Sequence, residues 1–154
     1  KKKKKLELLA EGCREVIAYA AEKEVRLAFE PEPGMLIETL QDFAELNERV
    51  RHPCFGLTVD IGHLQCMGEL PISQFLRPWK DLVFNIHIED MVQGAHDHLR
   101  FGAGDIDFSD VIHGLREIDY QGGLHVELSR HSHMAPEVVR ESYAFLTDLM
   151  QTGG

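Results

Sequence analysis

The sequence predicts an α/β fold made of four parallel (β/α) units preceded by a helix. Four short apolar runs, VRLAFE, FGLTVD, VFNIH and GLHVE, alternate with stretches whose apolar residues recur every three or four positions. Strands alternating with helices imply a parallel sheet. The runs end in Glu30, Asp60, His87 and Glu127, all good metal ligands, at the strand edge where parallel α/β sheets place their chemistry. Side chains alternate across a strand, so parity separates two faces. Arg26, Ala28, Gly56, Thr58, Asn85, Gly123 and His125 share the face of the four terminal residues, and Leu27, Phe29, Leu57, Val59, Phe84, Ile86, Leu124 and Val126 take the other. The apolar face suits a layer of helices, and the small or polar face suits a barrel interior.

Each element has a local reason. Leu6, Leu9, Cys13, Val16, Ile17 and Ala20 mark a helix from Leu6 to about Glu24. After the first strand and the turn Pro31-Glu32-Pro33-Gly34, a helix is expected from about Met35 to Val50, ended by Pro53. Pro71 and Pro78 bracket a short helix over Ile72–Leu76, and the third strand spans about Leu82–Ile88. The segment Glu89–Gly104 has no apolar period and reads as a long loop, a common carrier of function. Asp107 is an N-cap for the helix bearing Val111, Ile112, Leu115 and Ile118. Gln121-Gly122-Gly123 turns into the fourth strand, and Pro136 opens the last helix.

Four units are half of a (β/α)₈ barrel, which typically needs about 250 residues. An open half would expose two strand edges and a polar inner face. The 154-residue sequence is therefore expected to be part of a longer chain, lacking an N-terminal half, or to pair with a copy of itself. A small open α/β sandwich is the alternative. Residues 6–154 are taken as one domain, with Lys1–Lys5 an unstructured or appended leader.

The net charge is −10, and because the lysine run contributes +5 the remainder carries −15. An acidic body repels nucleic acid. No stretch is long and apolar enough for a membrane span or resembles a signal peptide. Cys13, Cys54 and Cys66 are widely spaced and odd in number, which suits reduced thiols in the cytoplasm.

The chemistry concentrates at the strand ends. Glu30 and Glu127, on the first and last strands, would face each other across a closed barrel, able both to ligate a metal and to move protons as a catalytic pair. Asp60-Ile61-Gly62-His63 is the most specific short motif, with Gly62 permitting a sharp turn that returns His63 to the mouth as ligand or substrate contact. His87 offers an imidazole suited to Mn, Co or Zn. His96, Asp97 and His98 add ligands or cap the mouth. Arg100 follows in the same loop, and Arg130 with His131 and His133 lies where barrels often hold phosphate or another anion, or forms a polar βα loop. His52 and His113 fall beside helices away from the mouth.

The series FEPEPG, TVDIGH, NIHIED, HLRFGAGDIDF and HVELSRHSH resembles, in order and spacing from about Leu6 onward, the C-terminal half of the xylose isomerase-like TIM-barrel superfamily, and within it the sugar phosphate isomerase/epimerase group. The resemblance implies one divalent metal, Mn or Co in the epimerase branch, on Glu30, Asp60, His87 and Glu127, with the glutamates as the acid/base pair and His63 as a substrate contact; Mg or Zn as the metal, and His98, Arg100 and Arg130 as further substrate contacts, are expectations beside it. It implies a sugar or polyol substrate and proton transfer through an enediolate, giving epimerisation or aldose–ketose isomerisation. The endonuclease IV branch shares the fold and holds three zinc ions. Its further ligands match His63 and His98, with His96 where that branch has Asp. A zinc phosphodiester hydrolase, or a half-barrel without activity of its own, are the competing readings.

Overall fold

The computed structural model describes residues 2–152. Its first helix, α1 (Lys2–Glu22), buries Leu6, Ala10, Cys13 and Ile17, a single stripe at helical spacing. The lysines expected to form an unstructured leader are its first turn from Lys2 onward, and Lys2 Nζ lies 2.7 Å from Asp42 Oδ1. Lysine is a good helix former, and this apolar stripe gives the helix a surface to dock. Lys1, like Gly153 and Gly154, lies outside the described residues.

The strands β1 (Leu27–Phe29), β2 (Phe55–Asp60) and β3 (Val83–Ile88) line up in order with a later strand, β6 (Leu124–Val126). All three pairings are parallel. This is half of a TIM barrel, as the alternation of runs predicts. The helix α2 (Leu40–Val50) starts five residues later than its apolar pattern suggests. Two acceptors fix that start: Thr39 Oγ1 accepts from Asp42 N at 3.1 Å, and the buried Glu69 carboxylate accepts from Leu40 N at 3.1 Å. They satisfy amides that the first helical turn would leave unpaired.

β2 runs directly into α3 (Ile61–Met67), which Asp60 caps. A short α4 (Ile72–Leu76) occupies the span between the two prolines. The segment read as a loop instead contains a hairpin, β4 (Asp90–Val92) with β5 (Ala95–Leu99). It turns at Gly94, whose φ is 76°. The sequence AHDHL has no apolar period, because its histidines face a polar cluster rather than the core. Asp90 accepts from Met91 N, Gly102 N and Ile106 N, tying down the loop that follows. Then come α5 (Phe108–Glu117), capped by Asp107, the strand β6 and α6 (Ala135–Thr152).

The apolar strand face is packed as the parity requires: Leu57, Val59, Ile86 and Ile88 are buried under the helices. One residue departs from it. Leu57 pairs with Val83 but Thr58 pairs with Asn85, a bulge that inserts Phe84. Phe84 thereby moves to the inner face, with the Arg26 guanidinium 4.3 Å from its ring centroid. Gly56 makes room for it, since a Cβ there would sit 2.6 Å from a Phe84 ring carbon.

Among the described residues β1 and β6 are each paired on one side only. Apolar side chains flank both edges: Leu8 and Val16 of α1, and Val139 and Tyr143 of α6, are all more than half exposed. No helix among the described residues is long and apolar enough to cross a membrane.

Candidate metal centre

Backbone geometry brings the strand-end residues together. Glu30 follows β1, Asp60 and His87 close the pairing of β2 with β3, and Glu127 follows β6, its amide held to Ile88 O at 3.2 Å. Parallel register places these positions at one sheet edge. Each of Glu30, Asp60, His87 and Glu127 offers a ligand atom, and those atoms lie within 4.8 Å of one another. His87 Nδ1 is the meeting point, 2.8 Å from Glu30 Oε1 and 2.9 Å from Glu127 Oε2.

Asp60 divides its carboxylate between two tasks. Oδ1 accepts from His63 N at 2.9 Å and caps α3. Oδ2 is buried with no hydrogen-bond partner. A fully buried carboxylate oxygen without a donor is costly unless a proton or a cation meets it. The donor set of carboxylates and imidazole, with one orphaned oxygen, fits a divalent cation of the Mn, Co or Zn kind.

His63 sits beside this group on α3, its Nε2 3.7 Å from Asp60 Oδ2. His63 Nδ1 lies 2.9 Å from Pro31 O, and a carbonyl only accepts, so Nδ1 carries the proton and Nε2 presents its lone pair. His96 Nε2, 3.1 Å away, then donates to it. Burial and the neighbouring His63 push the His96 pKa down, against the pull of Glu32. His63, His96 and His98 form a second group of mutually close ligand atoms. Gly62 makes no sharp turn: it lies inside α3, and its missing side chain leaves space for Glu89, whose Oε1 would be 2.0 Å from a Cβ.

The two arginines are engaged elsewhere. Arg100 pairs with Glu141 and Glu137 on α6, so it leaves the cluster. Arg130 pairs with Asp97 at 2.9 Å on the rim and is largely exposed. His131 and His133 lie in the short 3₁₀ helix Ser129–Met134.

Sequence reasoning missed two residues. Glu32 reaches the histidine pair, 3.8 Å from His63 Nε2 and 3.7 Å from His96 Nε2. Glu89 is fully buried beside Asp60 and His98. The parity that selects His87 continues to Glu89, and stopping at the end of the apolar run hid it.

Burial first, and then the charge of Asp60, pushes the Glu89 pKa from its ordinary 4.5 up to about 11. In the metal-free chain, folding therefore takes up a proton between those values, and the unfolded carboxyl does not hold it. This contribution to stability is whole below about pH 4.5 and is lost as pH rises toward about 11. Chemical denaturation of chelator-treated protein is expected to show midpoints falling from pH 6 to pH 9, with the fall removed in Glu89→Gln. A flat profile would contradict the assignment.

Comparison with known proteins identifies the family and the fold. The family described as xylose isomerase-like TIM barrel matches residues 1–149. An inosose dehydratase of Clostridium perfringens is 28% identical over 136 residues, covering 77% of this chain and 46% of that protein. The L-ribulose-5-phosphate 3-epimerase UlaE of Salmonella typhi is 25% identical over 118 residues, covering 77% and 41%. The chain thus spans less than half the length of these relatives. Among solved structures, the zinc-bearing IOLI protein superposes with a TM-score of 0.80 at 22% identity, over 94% of this chain and 56% of that one. The 3-keto-D-glucoside 4-epimerase YcjR of E. coli gives 0.78 at 23% identity, over 96% and 55%. With its four parallel strands, its order of units and nearly its whole length matched, the chain belongs to the xylose isomerase-like TIM-barrel family.

Proposed function

We propose that this unit forms one half of a closed barrel that epimerises or isomerises a small sugar or polyol, using one divalent cation on Glu30, Asp60, His87 and Glu127. The observation that carries the reading is His87 Nδ1 lying within 2.9 Å of both glutamates, which approach from non-adjacent strands. The relatives include epimerases and dehydratases of sugars or inososes, and a zinc atom is bound in a neighbour of the same fold.

When bound, the cation would polarise a substrate carbonyl and its neighbouring hydroxyl, making the adjacent C–H more acidic. The chain's own residues do the rest. Glu30 is half-buried, and desolvation raises its pKa despite the pull of His87. A carboxylate so raised is a better proton acceptor near neutral pH. Glu30 takes the proton from the carbon beside the carbonyl. Glu127, on the far side of His87, returns one to the opposite face for epimerisation or to the neighbouring carbon for isomerisation. His63 turns its Nε2 toward the cluster, where a substrate hydroxyl would displace His96 as the donor to its lone pair, and His98 lines the same wall. Arg100 and Arg130 act outside this chemistry, on α6 and the rim. Free thiols at Cys13, Cys54 and Cys66 accord with a cytoplasmic setting.

The test is solvent hydrogen exchange. Ketoses and aldoses incubated in D₂O with the assembled barrel and Mn²⁺ or Co²⁺ should gain deuterium beside the carbonyl, and chelation should stop it. Exchange that persists without metal, or no exchange across a broad sugar panel, would defeat the proposal. The histidine group is what favours a phosphodiesterase reading, and hydrolysis of an activated phosphodiester with no sugar exchange would support it instead. The acidic surface opposes a nucleic-acid substrate.

A further inference from the structure

The rim above the metal cluster has a charge pattern that the proton transfers do not use. TIM barrels frequently hold a substrate's phosphate on the loops after their seventh and eighth strands. In this C-terminal half those are the segments after β3 and β6. The only lysine or arginine side chains in them are Arg100 and Arg130. Arg100 is drawn outward to Glu137 and Glu141 of α6. Arg130 spans the two segments and meets Asp97 at 2.9 Å. A phosphate is best held by a free guanidinium that meets two of its oxygens.

An exposed ion pair opens at little cost. Opening this one leaves the Asp97 carboxylate in place beside any anion that Arg130 would take. Glu32 adds a further half-exposed carboxylate on the opposite wall, 3.7 Å from His96 Nε2. Deeper in the mouth, the carboxylates of Glu30, Asp60 and Glu127 outweigh the charge of one divalent cation. Two further cations point elsewhere. Arg26 stacks on Phe84 at the opposite end of the strands, and Lys2 pairs with Asp42 in the outer helix layer.

We propose that the site takes an uncharged ketose or polyol and rejects its phosphate esters, with Asp97 and Glu32 as the specificity-determining carboxylates. This rests on the sugar isomerase or epimerase reading and narrows its substrate class. Asp97 cancels the Arg130 guanidinium, and Glu32 repels an incoming dianion. Toward a substrate hydroxyl the same carboxylates are hydrogen-bond acceptors, so a neutral sugar meets no penalty.

The experiment compares free ketoses with their terminal monophosphates in the D₂O exchange assay, on the assembled barrel with excess Mn²⁺. It is run at about pH 8, where an ordinary histidine is uncharged. A free sugar that exchanges should exceed its ester in kcat/KM by about tenfold or more at low salt, and the gap should shrink in about 0.5 M salt. Asp97→Asn releases Arg130 and should raise kcat/KM for the esters about tenfold, with the free sugars within about twofold of wild type. Adding Arg130→Ala should cancel that gain, and Glu32→Gln alone should narrow the same gap. Esters that exchange as fast as the free sugars would overturn the proposal and leave the isomerase reading standing. A gap indifferent to salt and to both carboxylate substitutions would mean exclusion by shape, which overturns it as well. No exchange with either kind of sugar defeats the underlying reading, and this inference with it.

Discussion

Exchanging Glu127 for glutamine should lower turnover of the assembled barrel by about 10²–10⁴-fold, the range for losing a positioned acid or base. The amide keeps the size of the side chain and one oxygen toward His87, which lies 2.9 Å from Glu127 Oε2 in the wild type. It cannot hold or release the proton. Metal content measured on the same sample separates the two roles. Activity lost with metal retained assigns proton transfer to Glu127, and activity lost together with the metal assigns it ligation alone. Unchanged turnover would remove it from the mechanism.

The largest stability loss is expected at Phe43. Its ring is fully buried on α2 and meets Phe55 at 5.7 Å, Phe29 at 6.3 Å and Trp79 edge-on at 5.4 Å between centroids. These rings join α2 to β1, β2 and the turn before β3. Phe43→Ala removes the hub and leaves a cavity that three neighbouring aromatics cannot easily fill. The expected loss is about 3–5 kcal/mol, a large part of the 5–15 kcal/mol typical of a domain. Urea unfolding followed by circular dichroism measures it, and a loss under about 1 kcal/mol would mean that the rings re-pack around the gap.

Much of this molecule can be read from its residues because its strands obey a period of two and its helices a period near 3.6. Leu57, Val59, Ile86 and Ile88 announce the buried face, and the residues that break the pattern at each strand end are the ones that gather. What escapes is set by contacts distant in sequence. The start of α2 depends on Glu69, which is 29 residues from Leu40. Phe84 changes face because the β2–β3 register slips by one. The β4–β5 hairpin carries histidines where a strand usually carries apolar residues, so periodicity is blind to it. Arg100 finds its partner Glu141 on α6, 41 residues later. Glu89 is hidden for a further reason: a charged residue after an apolar run reads as solvated, and only tertiary structure reveals that water never reaches it.

The fit of Glu89 against Gly62 binds two distant positions into one inheritance. A methyl group at 62 and the acid at 89 cannot keep the present arrangement, because the new carbon would lie 2.0 Å from the Glu89 oxygen and one of the two must shift. Mutational drift at either site is therefore conditional on the other, and a viable lineage that acquires alanine at 62 must first shorten or redirect its neighbour.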